Sequence, residues 1–224
     1  WPLPISELFM LGRKTVPKLY NMQIKTIGDL AKADKKILAK KFGKHGIQMW
    51  EYANGIDDSE VKYLPEKPKC IGNSVTLPEN ISEIEKLEKI VLTISEQVAY
   101  RLRKEKLLAR TVSVELRTKD FEDTSHQGKL NDVTDTTKEI YEKAKELLDE
   151  MYKKGTQIRL VGVRVDNLVE QKERQISLFS DKENEKQEKL DKVIDELKNK
   201  YGYNSVTRAG KMDVQKIVKL KDAK

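Results

Sequence analysis

The chain has 224 residues, is 36% charged and 38% hydrophobic, and carries a net charge of +7. Its length has room for about two domains; no run approaches the ~18–20 apolar residues of a membrane span, and no secretory signal opens it. One cysteine, Cys70, excludes an internal disulfide framework and fits a reducing, cytoplasmic setting. The first residue is Trp1 and not Met, so a piece of a longer protein is expected. Residues 1–66 hold 11 basic and 8 acidic side chains, 67–170 hold 19 of each, and 171–224 hold 14 and 10. A middle segment so balanced is no generic polycation. If it binds nucleic acid, its cations must be sorted onto one face.

In chain order, 5–56 reads as short helices. "ISELFML" is apolar-periodic, "GRKT" interrupts it, and "VPKLYNM" resumes with Pro17 early in a helix, where the missing N–H costs nothing. Asp34 is placed to cap "KKILAKKFG", which Gly43 ends, and "HGIQMWEYANGID" supplies one more helix stopped at Asn54-Gly55. The polar, proline-containing 58–68 is expected to be a linker. From Lys69 the period changes. "CIGNSVTL" is strand-like, and Asn80 or Ser82 is expected to start a long helix with Ile84, Leu87, Val91, Ile94, Val98 and Leu102 along one stripe. "ARTVSVELRT" alternates as a strand, the turn-rich "KDFEDTSHQGKL" leads to another, and a helix with Ile140, Ala144, Leu147, Leu148 and Met151 inward follows. "IRLVGVRVDNL" closes the unit. The fold class is therefore α+β: a small helical domain (1–57), then a βαββαβ domain (69–170) with both helices on one face of a four-stranded sheet. The other face is left open as a binding surface. Beyond it lie a polar linker (171–184) and a partly helical tail (185–224), with Leu190, Val193, Ile194, Leu197 and Tyr201 at helical spacing.

Two stretches ask for a partner. In 8–30, a hairpin with Gly12 joins two short helices, and the amides of Arg13, Lys14 and Thr15, with the charges of Arg13, Lys14 and Lys18, suit a phosphate. An ordinary packing unit with solvated lysines fits as well. In "EQKERQISLFSDKENEK", Leu178 and Phe179 stand in an otherwise polar run that cannot bury enough apolar surface to order itself. Either the pair packs back on its domain or it is a hook for another protein. Catalytic patterns are missing: Asp57-Asp58 and Asp120/Glu122/Asp123 fall in linker and turn settings, and His45, His126 and Cys70 do not form a zinc ligand set.

The 8–30 stretch resembles a helix-hairpin-helix, where the hairpin usually reads Gly-apolar-Gly; here Met10 stands in the first glycine's place. "LAKKFGKHGIQMWEYANGID" (38–57) resembles the thumb of Y-family translesion DNA polymerases, and "KCIGNSVTL" (69–77) and "IRLVGVRVDNL" (158–168) resemble the first and last strands of that family's little finger domain. "QISLF" falls where bacterial members of the polymerase IV-like branch carry a sliding-clamp hook. The resemblance implies that the open sheet face holds primer-template duplex DNA through Lys69, Asn73, Ser74, Thr76, Arg110, Arg117, Lys119, Arg159 and Arg164, although Arg110 shares strand parity with Val112 and Val114. It implies a bacterial clamp as partner for Gln175, Ile176, Leu178 and Phe179. It also implies a catalytic palm with two Mg²⁺ preceding Trp1, so that this stretch alone is expected to be inactive. The rival expectations are a non-catalytic DNA-binding adaptor tethered to the clamp, and a module whose sheet binds protein.

Overall fold

The computed structural model describes residues 1–61, 63, 67–171, 182–209 and 214. The chain divides into two compact units, Trp1–Pro65 and Glu66–Lys224. No described helix is long and apolar enough to cross a membrane.

The first unit holds a 3-10 turn, Ile5–Glu7, and four helices: α1 (Val16–Tyr20), α2 (Ile27–Lys32), α3 (Lys35–Phe42) and α4 (Lys44–Ala53). Helices this short do not persist on propensity alone, and local devices hold their ends. Thr26 and Asp29 form a reciprocal capping box on α2. Hydrogen bonds donated by the Thr26 and Lys25 amides hold the Asp29 carboxyl below its ordinary pKa. Asp34 accepts from the Lys36 amide at 2.7 Å and caps α3, which ends at Gly43 with φ 64°. A Cβ on Gly46 would lie 2.2 Å from the Leu38 carbonyl oxygen, so α3 and α4 approach there as only glycine permits. Ile5, Leu19, Leu30, Leu38 and Met49 form the buried centre. The Asn54 amide donates to the Ala31 and Trp50 carbonyls, tying the end of α4 to α2.

The second unit runs β1 (Cys70–Ile81), α5 (Ile84–Lys104), β2 (Leu107–Thr118), β3 (Asp123–Thr134), α6 (Thr137–Met151), β4 (Ile158–Asp166), β5 (Val169–Glu170) and α7 (Lys182–Tyr201). One antiparallel sheet has the order β1-β4-β2-β3, and the two-residue β5 pairs with β2. The βαββαβ order is the expected one, with α5 and α6 packed on the sheet through a core that includes Leu87, Ile94, Val98, Val114, Ile140, Leu147 and Val163.

Two boundaries differ from expectation. β1 continues past Leu77 to Ile81, whose side chain is buried in the core, so α5 begins only after Glu83. β3 already starts at Asp123, because the turn is confined to 119–122 and closed by the Thr118 amide donating to the Glu122 carbonyl, with Phe121 at φ 64°. Its polar composition suits an edge strand with most side chains exposed.

α5 carries more than the expected stripe. Thr93, Ser95, Glu96 and Gln97 are also buried: Gln97 faces the sheet and accepts from Asn73, while Glu96 is covered by the tail, which folds back onto this helix. Arg103, its side chain 10% exposed, donates to Asp195 at 2.6 and 3.0 Å and lies 3.3 Å from Asp191. Asp191 also accepts from the Thr137 amide at the start of α6. Glu96, 7% exposed, is 2.8 Å from Arg208 and 4.0 Å from Lys198. Burial opposes the Arg103 charge, but its hydrogen bonds to Asp195 and the charges of Asp195, Asp191 and Asp135 outweigh that and raise its pKa. Tyr203 stacks edge-on against Tyr100, and burial followed by the Glu96 charge pushes its phenol upward.

Candidate nucleic-acid interface

Strand register assigns every side chain of the sheet to a face. Across β1, β4, β2 and β3, aligned positions form rows: Gly72, Arg164, Ser113, Gln127; then Ser74, Gly162, Glu115, Ser125; then Thr76, Leu160, Arg117, Asp123. A fourth row is Cys70, Asp166, Thr111, Lys129. The intervening positions, among them Ile71, Val75, Val112, Val114, Val161 and Val163, pack under the helices. The rows named first therefore make up the face opposite α5 and α6.

This face is concave at its centre, with a cleft of about 800 Å³ lined by Gly72, Ser74, Ser113, Glu115, Ser125 and Arg164 among others. Two glycines shape it. A Cβ on Gly72 would meet the Arg164 Cβ and Cγ at 2.9 Å, and one on Gly162 would meet the Ser74 Cβ at 3.1 Å. The Arg164 side chain thus lies across bare backbone, and small hydroxyls floor the trough.

The two arginines on this face are paired. Arg117 donates to both carboxylate oxygens of Asp123, the Nη2 bond at 2.9 Å. Arg164 donates to Asp166 at 2.9 Å. The hydrogen bond from Arg117 holds the Asp123 carboxyl below its ordinary pKa and raises that of the guanidinium. With Lys129 and Glu115 the four rows hold three cations and three anions, so the fold does not sort positive charge onto the open face. Its polar groups can hydrogen-bond a phosphate backbone, and its arginines can do so by exchanging a carboxylate for a phosphate.

The sequence-derived candidates of the second unit fall in five places. Ser74, Thr76, Arg117 and Arg164 lie together on the open face. Asn73 does not: its side chain turns to the helix side and hydrogen-bonds Gln97 of α5, as its parity with Ile71 and Val75 requires. Lys69 and Lys119 are exposed beyond the strand ends, and Arg159 stacks its guanidinium 5.2 Å from the Phe121 ring. Arg110 is exposed despite its nominal parity. Ala109 and Val112 are both in the core, so the alternation slips between them, beside the β2–β3 register irregularity. Gln175, Ile176, Leu178 and Phe179 lie outside the described residues.

In the first unit, Gly12, Arg13, Lys14 and Lys18 are exposed and Thr15 is half-buried. The hairpin differs from the expected geometry. The left-handed backbone sits at Met10, φ 69°, and not at Gly12, whose carbonyl instead accepts from the amides of Thr15 (2.9 Å) and Val16 (3.3 Å). The Thr15 amide is therefore occupied. The amides of Arg13 and Lys14 donate no hydrogen bond among the described residues.

Sequence reasoning missed Gly72, Gly162, Ser113, Ser125 and Lys129 on the open face, and the carboxylate partners Asp123 and Asp166. Strand parity from Val112 and Val114 points to Ser113; the rest need the cross-strand register. Among the described residues no three His, Cys, Asp or Glu side chains converge as a metal centre requires. These residues do not fit a two-metal site, and no chemical step is assigned to them.

Residues 68–178 match the impB/mucB/samB family C-terminal domain, and residues 8–57 match the DNA polymerase-iota thumb domain. The chain is 42% identical over 209 residues to a DNA polymerase IV of Clostridium acetobutylicum, covering 93% of this chain and 52% of that protein. It is 39% identical over 212 residues to a DNA polymerase IV of Acetivibrio thermocellus, covering 93% and 53%. It thus spans about half the length of these curated relatives. A solved Y-family DNA polymerase chimera of Dbh and Dpo4 shares the fold, with a TM-score of 0.58 at 20% identity over 75% of this chain and 48% of that one. From two matched domains in this order, relatives of one kind and a shared fold, it follows that the chain belongs to the Y-family DNA polymerases, its two units being a thumb and a little finger.

Proposed function

We propose that this chain is the duplex-holding and clamp-recruiting half of a lesion-bypass DNA polymerase of the polymerase IV type. The observation that carries the reading is the little finger's open, concave sheet face, floored by Ser74, Ser113 and Ser125 and crossed by Arg164 and Arg117. Hydroxyls and guanidiniums of this kind grip phosphates on either strand without reading bases, which a polymerase that moves along any sequence requires. The thumb adds exposed Arg13, Lys14 and Lys18. Template-directed nucleotidyl transfer, with two Mg²⁺ held by carboxylates, belongs to the part of the relatives that this chain does not span.

Binding of a labelled duplex at rising salt tests the reading. Log affinity should fall linearly with log salt, and Arg164→Ala should weaken binding and flatten that slope by about one. A duplex affinity indifferent to salt would overturn it. The clamp part is tested separately by calorimetry against a bacterial sliding clamp. Leu178→Ala with Phe179→Ala should abolish heat release, because two apolar anchors supply most of such a short peptide's affinity, while duplex binding stays unchanged.

A further inference from the structure

The thumb hairpin exposes apolar side chains where a buried or polar tip would suffice. Leu8 and Leu11 both pack against the unit's core, and the Leu11 amide donates to the Leu8 carbonyl at 3.2 Å, closing a four-residue turn. The two residues between them project outward: Phe9 is 76% exposed and Met10 57%. Met10 occupies the third turn position at φ 69°, a backbone conformation suited to glycine. A long side chain is thus held in a disfavoured conformation at an exposed tip, where the fold gains nothing from it. Backbone outliers of this kind concentrate at sites of contact.

The surroundings indicate the contact. Residues 1–28 contain Arg13, Lys14, Lys18 and Lys25 against a single acid, Glu7. Arg13, Lys14 and Lys18 are exposed and form no ion pair among the described residues. Unlike Arg117 and Arg164, these cations are not already engaged by a carboxylate. An apolar tip flanked by unpaired cations complements a surface with apolar faces between rows of anions. The grooves of a DNA duplex are such a surface, with deoxyribose and base faces between phosphates.

The geometry points to Phe9 and Met10 as an apolar wedge that the thumb sets into the groove of the bound duplex, with Arg13 and Lys14 on the flanking phosphates. The inference deepens the duplex-holding reading and rests on it. It assigns part of the affinity to contacts that salt does not screen, and locates them on two residues that carry no charge. Replacing Met10 by glycine removes the wedge side chain while relieving the backbone, so its effects on folding and on binding have opposite signs.

The test is fluorescence anisotropy of a labelled duplex with the 224-residue chain and its Phe9→Ala, Met10→Gly and Arg13→Ala variants, each over a range of salt, with thermal melting alongside. Phe9→Ala and Met10→Gly should each weaken binding by roughly fivefold or more, the scale of losing one apolar contact to a base. Their salt dependence should match that of the unsubstituted chain, and Met10→Gly should melt at the same or a higher temperature. Arg13→Ala should flatten the salt slope by about one. Unchanged or tighter binding by both Phe9→Ala and Met10→Gly overturns the wedge and leaves the duplex-holding reading standing. Failure of the unsubstituted chain to bind any duplex overturns both.

Discussion

The little finger places arginine–aspartate pairs in two settings, and their chemistry is alike while their consequences are not. On the open face Arg117–Asp123 and Arg164–Asp166 stand in solvent; behind α5, Arg103 is enclosed by Asp191 and Asp195, with Asp135 nearby. Exposed pairs contribute little to stability, because water competes for both partners. They can therefore be exchanged for a phosphate at small cost. A buried pair has already lost its water, so deleting one partner strands the other. The same residue types thus form a replaceable contact on one side and a fixed joint on the other.

Arg103→Ala is the substitution that should separate the two settings most sharply. It leaves the partly buried Asp195 without its cation and the buried Asp191 with only the longer Arg208 contact at 3.5 Å, which is expected to cost about 3 kcal/mol in urea unfolding and to raise hydrogen exchange along α7. Arg117→Ala should leave the unfolding curve within experimental error and lower duplex affinity instead. Similar stability losses for both would collapse the distinction. A smaller change probes how well the buried side is satisfied. The Tyr203 hydroxyl is buried with no hydrogen-bond partner among the described residues, so Tyr203→Phe should be neutral or stabilise by about 1 kcal/mol, the cost of an unpaired buried hydroxyl being removed. A clear loss of stability would mean that the hydroxyl has a partner, such as a bound water.

On the open face, the carboxylates restrain the arginines. Asp166→Asn removes the anion beside Arg164 and one negative charge from the open face. Duplex affinity should rise a few-fold, about 1 kcal/mol or less for an exposed charge, and the gain should shrink with added salt. Weaker binding by this variant would show that Asp166 orients Arg164 toward the duplex and does not withhold it.

The sequence carried one of these settings much better than the other. Alternation in β2 and the helical stripe of α5 are periodic signals, and they led to the βαββαβ order and the open face. The turn residues at Asp34, Gly43 and Asn54-Gly55 were equally readable, since each does its work within a few positions of chain. Asn73 breaks the pattern because a polar residue in a strand reads as facing out, whereas Gln97 on α5 offers it a partner under the sheet. The tail joint was invisible for a related reason. Glu96, Arg103, Asp191 and Asp195 look like a solvated helix surface until α5 and α7 are brought together from 88 and 92 residues apart. Gly72 and Gly162 look like strand weaknesses, and only the cross-strand register shows that they make room for Arg164 and Ser74.

The smallest expected effect concerns pH. Asp123 has its folded pKa lowered from an ordinary value near 3.8 by hydrogen bonding to Arg117. A lowered carboxylate pKa contributes stability that is fully present above the unfolded value and is lost as pH falls through the folded one. The stability difference between the unsubstituted chain and Asp123→Asn should therefore be small and constant from neutral pH down to about pH 5, then vanish on further acidification. Melting temperatures of the two proteins across that range provide the check. Asp29 in the thumb is lowered in the same direction by the Thr26 and Lys25 amides, but it is unchanged in both proteins and cancels from the difference. A difference that widened on acidification would reverse the sign, and would mean that Asp123 is held in its protonated form. The Arg117–Asp123 contact would then not favour the carboxylate, and the contrast with Arg103 would no longer rest on exchange of a partner.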